Sequence, residues 1–188
     1  DRPTRGTLEG QTAPAIRRDI DARAGSTDDW AMVGIRSRGD VLARRLAQRL
    51  GIERVGTLDI TLYRDDLSEV SSQPVVRTTE IPFAIDDLNL VLVDDVLMTG
   101  RSIRAALASL LDLGRARRIW LAVLVDRGGR ELPIAPDHVG LDLSVDPGET
   151  IIAPDELVEV HLTPTDPSDQ IVVSRKPGAP SASKEPAA

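Results

Sequence analysis

"LVLVDDVLMTGRSIRAAL", residues 90–107, changes its periodicity halfway. Leu90 to Val93 is an unbroken apolar run, as expected of a strand covered on both faces. From Ile103 the apolar residues recur at helical spacing, through Ala106, Leu107, Leu110 and Leu111, and Gly114 supplies a stop. A buried strand that turns directly into an amphipathic helix is half of a βαβ unit, so a parallel sheet is expected. Between the two halves stand Asp94, Asp95 and a Thr99-Gly100-Arg101-Ser102 turn. Two adjacent carboxylates repel if they are packed together without a partner, and the turn beside them suggests what that partner is.

The rest of the chain repeats the pattern. "WAMVGI" (30–35), "LDITLY" (58–63) and "IWLAVLV" (119–125) are further candidate strands. In the second of these Leu58, Ile60 and Leu62 alternate with polar residues, so one of its faces is expected to meet polar groups or a ligand. A helix is expected after Asp40 as N-cap, with Leu42, Ala43, Leu46, Ala47 and Leu50 as its apolar stripe and Gly51 as its stop. The fold class is therefore α/β with a mainly parallel sheet flanked by helices. Residues 64–86, with Pro74 and Pro82, are predicted as an excursion or a small hairpin. Residues 127–165 carry five prolines and are predicted as a small irregular subdomain. The predicted organisation is an N-terminal extension (1–14), one domain (15–165) and a C-terminal tail (166–188). The tail is expected to be largely disordered after about 174 because it lacks large apolar residues.

Composition narrows the chemistry. The 188 residues suffice for one domain with a full core. The net charge of −7 argues against indiscriminate nucleic-acid binding but leaves room for a local basic face. With no cysteine, thiolate metal sites and cysteine nucleophiles are ruled out, and two histidines are too few for a histidine-based metal cluster. No apolar stretch approaches membrane-spanning length, and "DRPTRGTLEG" lacks the apolar core of a signal peptide, so a soluble, cytoplasmic protein is expected.

Ligands of open α/β sheets gather beyond the carboxyl ends of the strands, where Asp94 and Asp95 stand. The free amides of a helix N-terminus favour phosphate, Gly100 permits close approach, and Thr99 and Ser102 add hydroxyls. The paired acids one step away suit either a magnesium ion or the hydroxyls of a sugar. Taken alone, Asp94-Asp95 reads as an ordinary acidic turn beside a helix cap. Strand, acid pair, hydroxyl-rich turn and helix together read as a ribose 5-phosphate site. No Gly-x-Gly-x-x-Gly follows a strand and no glycine-rich loop ends in Lys-Ser/Thr. A receiver-like phosphate switch fits less well, because the acid pair follows the third strand and the only lysines are Lys176 and Lys184.

"VLVDDVLMTGRS" resembles the phosphoribosyl pyrophosphate (PRPP) motif of the type I phosphoribosyltransferases. "VGIRSRG" (33–39), "DITLYRDDLS" (59–68), "LAVLVDRGGRELPI" (121–134) and "DHVG" (137–140) resemble, in the same order, the PyrR family, whose members regulate pyrimidine operons by attenuation and carry uracil phosphoribosyltransferase activity. The resemblance implies the type I fold with a small irregular hood at about 127–165. It implies the reaction uracil + PRPP → UMP + diphosphate with Mg2+. Asp94 and Asp95 would hold the ribose hydroxyls, with the metal bound indirectly through PRPP or water. Val96, Leu97, Met98, Thr99, Gly100, Arg101 and Ser102 would surround the 5-phosphate, and Ser37, Arg38 and Gly39 the diphosphate. Arg64 and Asp65 would begin a catalytic lid, and His138 and Val139 would receive the base. The resemblance further implies a homodimer or higher homo-oligomer and a leader mRNA as partner.

Some positions depart from the family pattern. Gly129 stands where members commonly have histidine, and "IAPDHVGLDLSVDPGE" contains no lysine or arginine. The segment from "AIRRDI" to the first strand is short for the family's long first helix. Arg17, Arg18, Arg23, Arg127 and Arg130 remain as a reduced basic patch, with Arg17, Arg18 and Arg130 as candidate RNA contacts, and with several cations lost RNA binding is expected to be weakened. A nucleotide-sensing RNA-binding regulator with little catalysis is the alternative reading.

Overall fold

The computed structural model describes residues 2–4, 9–23, 26–60, 79–144, 152–153 and 155–175. In chain order these form β1 (Arg2–Thr4), α1 (Glu9–Ala22), a 3-10 turn (Thr27–Asp29), β2 (Trp30–Ile35), α2 (Gly39–Leu50), β3 (Arg54–Leu58), β4 (Asn89–Leu97), α3 (Arg101–Leu113), β5 (Arg118–Asp126), β6 (His138–Asp142), β7 (Glu156–His161) and β8 (Gln170–Arg175). The main sheet runs β3-β2-β4-β5-β6 and all its pairings are parallel. A smaller antiparallel sheet runs β1-β8-β7.

Alternation along the strands sorts the core into two layers. Trp30, Met32, Val91, Val93 and Trp120 pack with α1, α2 and the small sheet. Ala31, Val33, Leu90, Leu92 and Leu121 pack with α3. Both faces of β2 and β4 are thus covered, which is why "WAMVGI" and "LVLV" read as continuous apolar runs rather than alternating ones. The two tryptophans meet at 4.4 Å between ring centroids, with Arg23 lying 5.1 Å over Trp120.

Several expectations need correction. Of the strand predicted at 58–63, residues 61–63 lie outside the described residues; the described strand is Arg54–Leu58, where Gly56 and Thr57 dilute the apolar signal. Its outer edge is capped by Glu80, which exchanges two 2.8 Å backbone hydrogen bonds with Thr57. Asp40 does not cap α2 from outside but sits in its first turn, where it accepts from Val41 N and Arg44. Within 127–165, predicted as irregular, His138–Asp142 forms β6 and joins the main sheet beside β5. In the predicted tail, Gln170–Arg175 pairs with both β7 and β1. Neither segment has the apolar density of a central strand, because each is partly open. The early helix runs for 14 residues and begins upstream of "AIRRDI", with Pro14 inside it.

Candidate active site

The carboxyl ends of β2, β4 and β5 converge on one side of the sheet, and each is followed by a loop that carries part of the site. β4 runs straight through both aspartates to Leu97. Consecutive residues of a strand point to opposite faces, so Asp94 and Asp95 are held apart. Asp94 is buried and accepts from Asp95 N at 3.0 Å, while half-buried Asp95 accepts from Val96 N at 2.9 Å.

Past Leu97 the chain turns through Met98, Thr99 and Gly100 into α3. Gly100, at φ +89°, takes a left-handed conformation open to glycine at little cost. Thr99 Oγ1 accepts from Arg101 N at 3.3 Å. Three successive carbonyls bond to the loop after β5. Leu97 O accepts from Arg127 N (2.9 Å), Met98 O from Arg130 Nη1 (2.9 Å), and Thr99 O from the amides of Glu131 (3.0 Å) and Leu132 (3.1 Å). These acceptors are drawn toward the loop after β5, and α3 opens beside them with the N-terminal amides that an anion site requires.

The same loop corrects the role expected of Arg130. Its guanidinium donates to Asp126 Oδ2, Ile134 O and Met98 O, all within the fold. Asp126 is 5 % exposed, so this pair is a buried clamp and not an RNA-facing cation. Arg130→Ala leaves a buried carboxylate without its cation and should cost about 3 kcal/mol, measured by denaturant unfolding. A loss under 1 kcal/mol would mean that the clamp is dispensable.

After β2 comes the Arg36-Ser37-Arg38 loop. Gly39, which opens α2, lies against β4, where an added Cβ would stand 2.5 Å from Val93 O. Arg38 donates from Nε and Nη2 to Asp166 Oδ2 and Oδ1, each at 3.0 Å. These bonds to Asp166 raise the Arg38 pKa, and the charges of Asp95 and Glu159 act in the same direction. The Asp166 carboxyl is lowered to about 2, first by Arg38 and then by the Leu162 amide. The field of Asp95 at Arg38 brings the two loops into one electrostatic site. Arg36, which the sequence reading did not single out, also lies here, and its Nε is buried without a hydrogen-bond partner.

His138 is not placed to stack on a ligand. It lies in mid-sheet, paired with Ala122, with its ring edge-on to Trp120 at 5.3 Å and Nε2 3.7 Å from Asp19 of α1. Its side chain is 4 % exposed, so no ring face is open. Val139 packs on the opposite face, with the α3 layer. The resemblance implied that His138 and Val139 receive the base; burial of the ring removes stacking by His138, and does not bear on the backbone of half-buried Val139. Burial lowers the His138 pKa from 6.5, against the raising effect of Asp19 and Asp137. The folded value lies below the unfolded one, so its stabilising contribution is complete above about 6.5 and is lost as pH falls toward the folded value. The Tm of the wild type should therefore drop more steeply between pH 7 and 5 than that of His138→Phe; parallel profiles would refute this.

Arg64 and Asp65 lie outside the described residues. Arg17 donates to Leu50 O at 2.6 Å and is tied to the end of α2, while Arg18 is exposed. What the sequence reading missed is β7. It is the edge strand of the small sheet and the strand of that sheet that packs against β4. Val158 of β7 and Val96 border the same apolar cluster, and buried Arg127 fixes β7 by donating to Ala153 O and Glu156 O. The short run "LVEV" was the available signal, masked by the prolines around it.

Among the described residues no group of three or more acidic or histidine side chains could hold a metal alone. A magnesium ion would be held here indirectly, near Asp94 and Asp95, through water and the oxygens of a phosphorylated ligand, which is how magnesium is usually bound. Among the described residues no helix is long and apolar enough to cross a membrane.

The main sheet is parallel and its central strand ends in paired acids before a helix N-terminus, and the phosphoribosyl transferase domain family matches residues 13–154. The chain belongs to the PyrR family of type I phosphoribosyltransferases. It is 50 % identical over 159 residues to the "Bifunctional protein PyrR" of Deinococcus radiodurans, covering 82 % of this chain and 83 % of that one. It is 47 % identical over 184 residues to the protein of the same name from Thermus aquaticus, covering 91 % and 97 %. Among solved structures, the hypoxanthine phosphoribosyltransferase of Trypanosoma cruzi superposes with TM-score 0.62 at 18 % identity, covering 90 % of this chain and 91 % of that one. A purine phosphoribosyltransferase from Pyrococcus horikoshii gives 0.53 at 23 %, covering 72 % and 83 %. These two show the shared fold. Membership of the family sets aside the receiver-like alternative.

Proposed function

We propose that this phosphoribosyltransferase acts on uracil, converting uracil and PRPP to UMP and diphosphate. The observation that carries the reading is the β4–α3 turn, where two separated carboxylates precede a turn whose carbonyls are bonded away from its anion-facing side. The pyrimidine comes from the relatives' name, "Bifunctional protein PyrR".

Asp94 and Asp95 accept hydrogen bonds from the ribose hydroxyls, and residues 96–102 hold the 5-phosphate. Ser37, Arg38 and Gly39 hold the diphosphate, and Arg38 neutralises its charge. As the ribose C1–O bond breaks, uracil N1 bonds to the same carbon from the opposite side and its proton passes to water, with the ring against Val96 and the free edge of β7. Held near Asp94 and Asp95 through PRPP and water, magnesium would screen the diphosphate charge. Arg64 and Asp65 belong to the closing segment that excludes water. Nothing in this scheme needs a protein nucleophile; positioning and electrostatics supply the rate.

The test is conversion of radiolabelled uracil with PRPP and magnesium, run beside other bases. UMP formation preferred over other nucleotides is the expected result, and folded protein that forms none overturns it. A cytoplasmic homodimer or higher homo-oligomer is part of the same proposal. Leu111, 67 % exposed at the end of α3, is an apolar side chain that such an interface would cover. A second activity, UMP-dependent binding of pyrimidine-operon leader mRNA, rests on the word "bifunctional" in the relatives' name. With Arg130 used inside the fold, Arg18 and its neighbours carry what basic face remains. Filter binding to leader and unrelated RNA, with and without UMP, tests it; equal affinity for both refutes it.

A further inference from the structure

Asp166 lies on the turn between β7 and β8, 128 residues from Arg38 in sequence, and belongs to none of the segments that drew attention in the sequence. Both of its oxygens are engaged by Arg38, and Oδ2 also accepts from Leu162 N at 2.7 Å. His161 Nδ1 stands 3.5 Å from Oδ1. Its side chain is 12 % exposed. The turn that carries it is itself rigidly fixed. Asp166 N donates to Leu162 O at 2.8 Å, Asp169 accepts from the amide and hydroxyl of Thr163, and Arg45 of α2 reaches Asp169 at 2.7 Å and Thr163 O at 2.6 Å.

A guanidinium has five N–H donors in a plane. Asp166 takes one from Nε and one from Nη2 on a single edge of the fork, so the Nη1 edge and the second Nη2 proton are left for another anion. A carboxylate that grips one edge of an arginine from a rigid turn fixes the direction of the other edge, and little rotamer freedom is left to lose when a ligand arrives.

We propose that Asp166 is a positioning residue for diphosphate: from the small sheet it orients Arg38, in the loop after β2, so that the free edge of the guanidinium meets the leaving group. This rests on the assignment of the Ser37-Arg38-Gly39 loop to diphosphate, and deepens it by adding an acidic residue to an anion site. The opposite arrangement, a latch in which Asp166 competes with diphosphate for Arg38, predicts the reverse sign.

The informative variant is Asp166→Asn in the intact chain. Asparagine keeps an oxygen for Leu162 N, so the turn survives, but it loses the charge and the paired acceptor for Arg38. Inorganic diphosphate binding by calorimetry should weaken about tenfold, and the KM for PRPP should rise by a similar factor while kcat changes less than twofold. Arg38→Ala should weaken diphosphate binding at least as much, and the double variant should be no worse than Arg38→Ala alone, since Asp166 acts only through Arg38. Arg38→Lys, which keeps the charge but not the fork, gives a second route if Asp166→Asn unfolds, and should show the same rise in KM. Diphosphate binding unchanged in Arg38→Ala would reject the assignment of the loop. Loss in Arg38→Ala with unchanged or tighter binding in Asp166→Asn, or additive losses in the double variant, would overturn the role of Asp166 alone.

Discussion

Asp94→Asn combined with Asp95→Asn should lower kcat/KM for PRPP by roughly a thousandfold, ~4 kcal/mol of transition-state stabilisation, with the melting temperature changed by only a few degrees. The separation of the two effects follows from the geometry. Each carboxylate spends Oδ1 on the next backbone amide along β4, and the amide oxygen of asparagine can replace it there. What asparagine cannot replace is the negative charge facing a sugar that becomes electron-poor as diphosphate departs. Steady-state kinetics with PRPP as varied substrate and a thermal melt on the same preparation check both halves. Unchanged kinetics would return the pair to the status of a helix-entrance turn, and loss of folding would show that Asp94 is a structural acid.

The second large effect falls on Gly34, which contacts no ligand in the proposed scheme. A Cβ at this position would stand 2.3 Å from Gly39 O, 2.4 Å from Asp40 Cα and 2.6 Å from Asp40 N. All three are backbone atoms at the start of α2, so relief requires the helix itself to move off β2. Gly34→Ala should therefore cost ~3 kcal/mol, at the upper end for overpacking, or about 10 °C in Tm for a domain of this size. The helix start that moves carries Arg38, so KM for PRPP should rise as well. Gly51→Ala is the control. Gly51 has φ +69° but nothing within 4 Å of its missing Cβ, so only the left-handed conformation is penalised, at ~1 kcal/mol. Equal melting temperatures for the two variants would show that close approach is not what position 34 protects.

The contrast between these glycines also shows what the sequence disclosed. Gly51 announced itself as a helix stop by standing after a periodic apolar stripe. Gly34, inside "WAMVGI", looked like one more small residue in a buried strand, because the backbone that crowds it comes from the following helix. The central strands and both amphipathic helices were legible because each carries its own local period. β6, β7 and β8 were not, since their burial depends on partners far along the chain and their own residues alternate irregularly. The acid pair and the Thr99–Ser102 turn were legible for the same reason as β4: strand, turn and helix signals fall in one window. His138 was misread because the resemblance carried a ring-stacking role onto its position while nothing local showed that the ring is buried. Its burial is set by Trp120 and α1, which no local window contains. Arg130 was misread as a surface cation because its buried partner, Asp126, stands four residues earlier on a strand that the sequence presented as purely apolar.

Arg127 gives the arrangement a mechanical consequence. Its amide is bonded to Leu97 O at the phosphate turn, and its guanidinium to Glu156 O on β7. One residue is thus a crossbar between the segment assigned to the 5-phosphate and the strand assigned to the base. A ligand that draws β7 inward pulls on the same bar that holds the phosphate turn. In the proposed scheme the two ends of a nucleotide would be gauged against each other by this single length of protein.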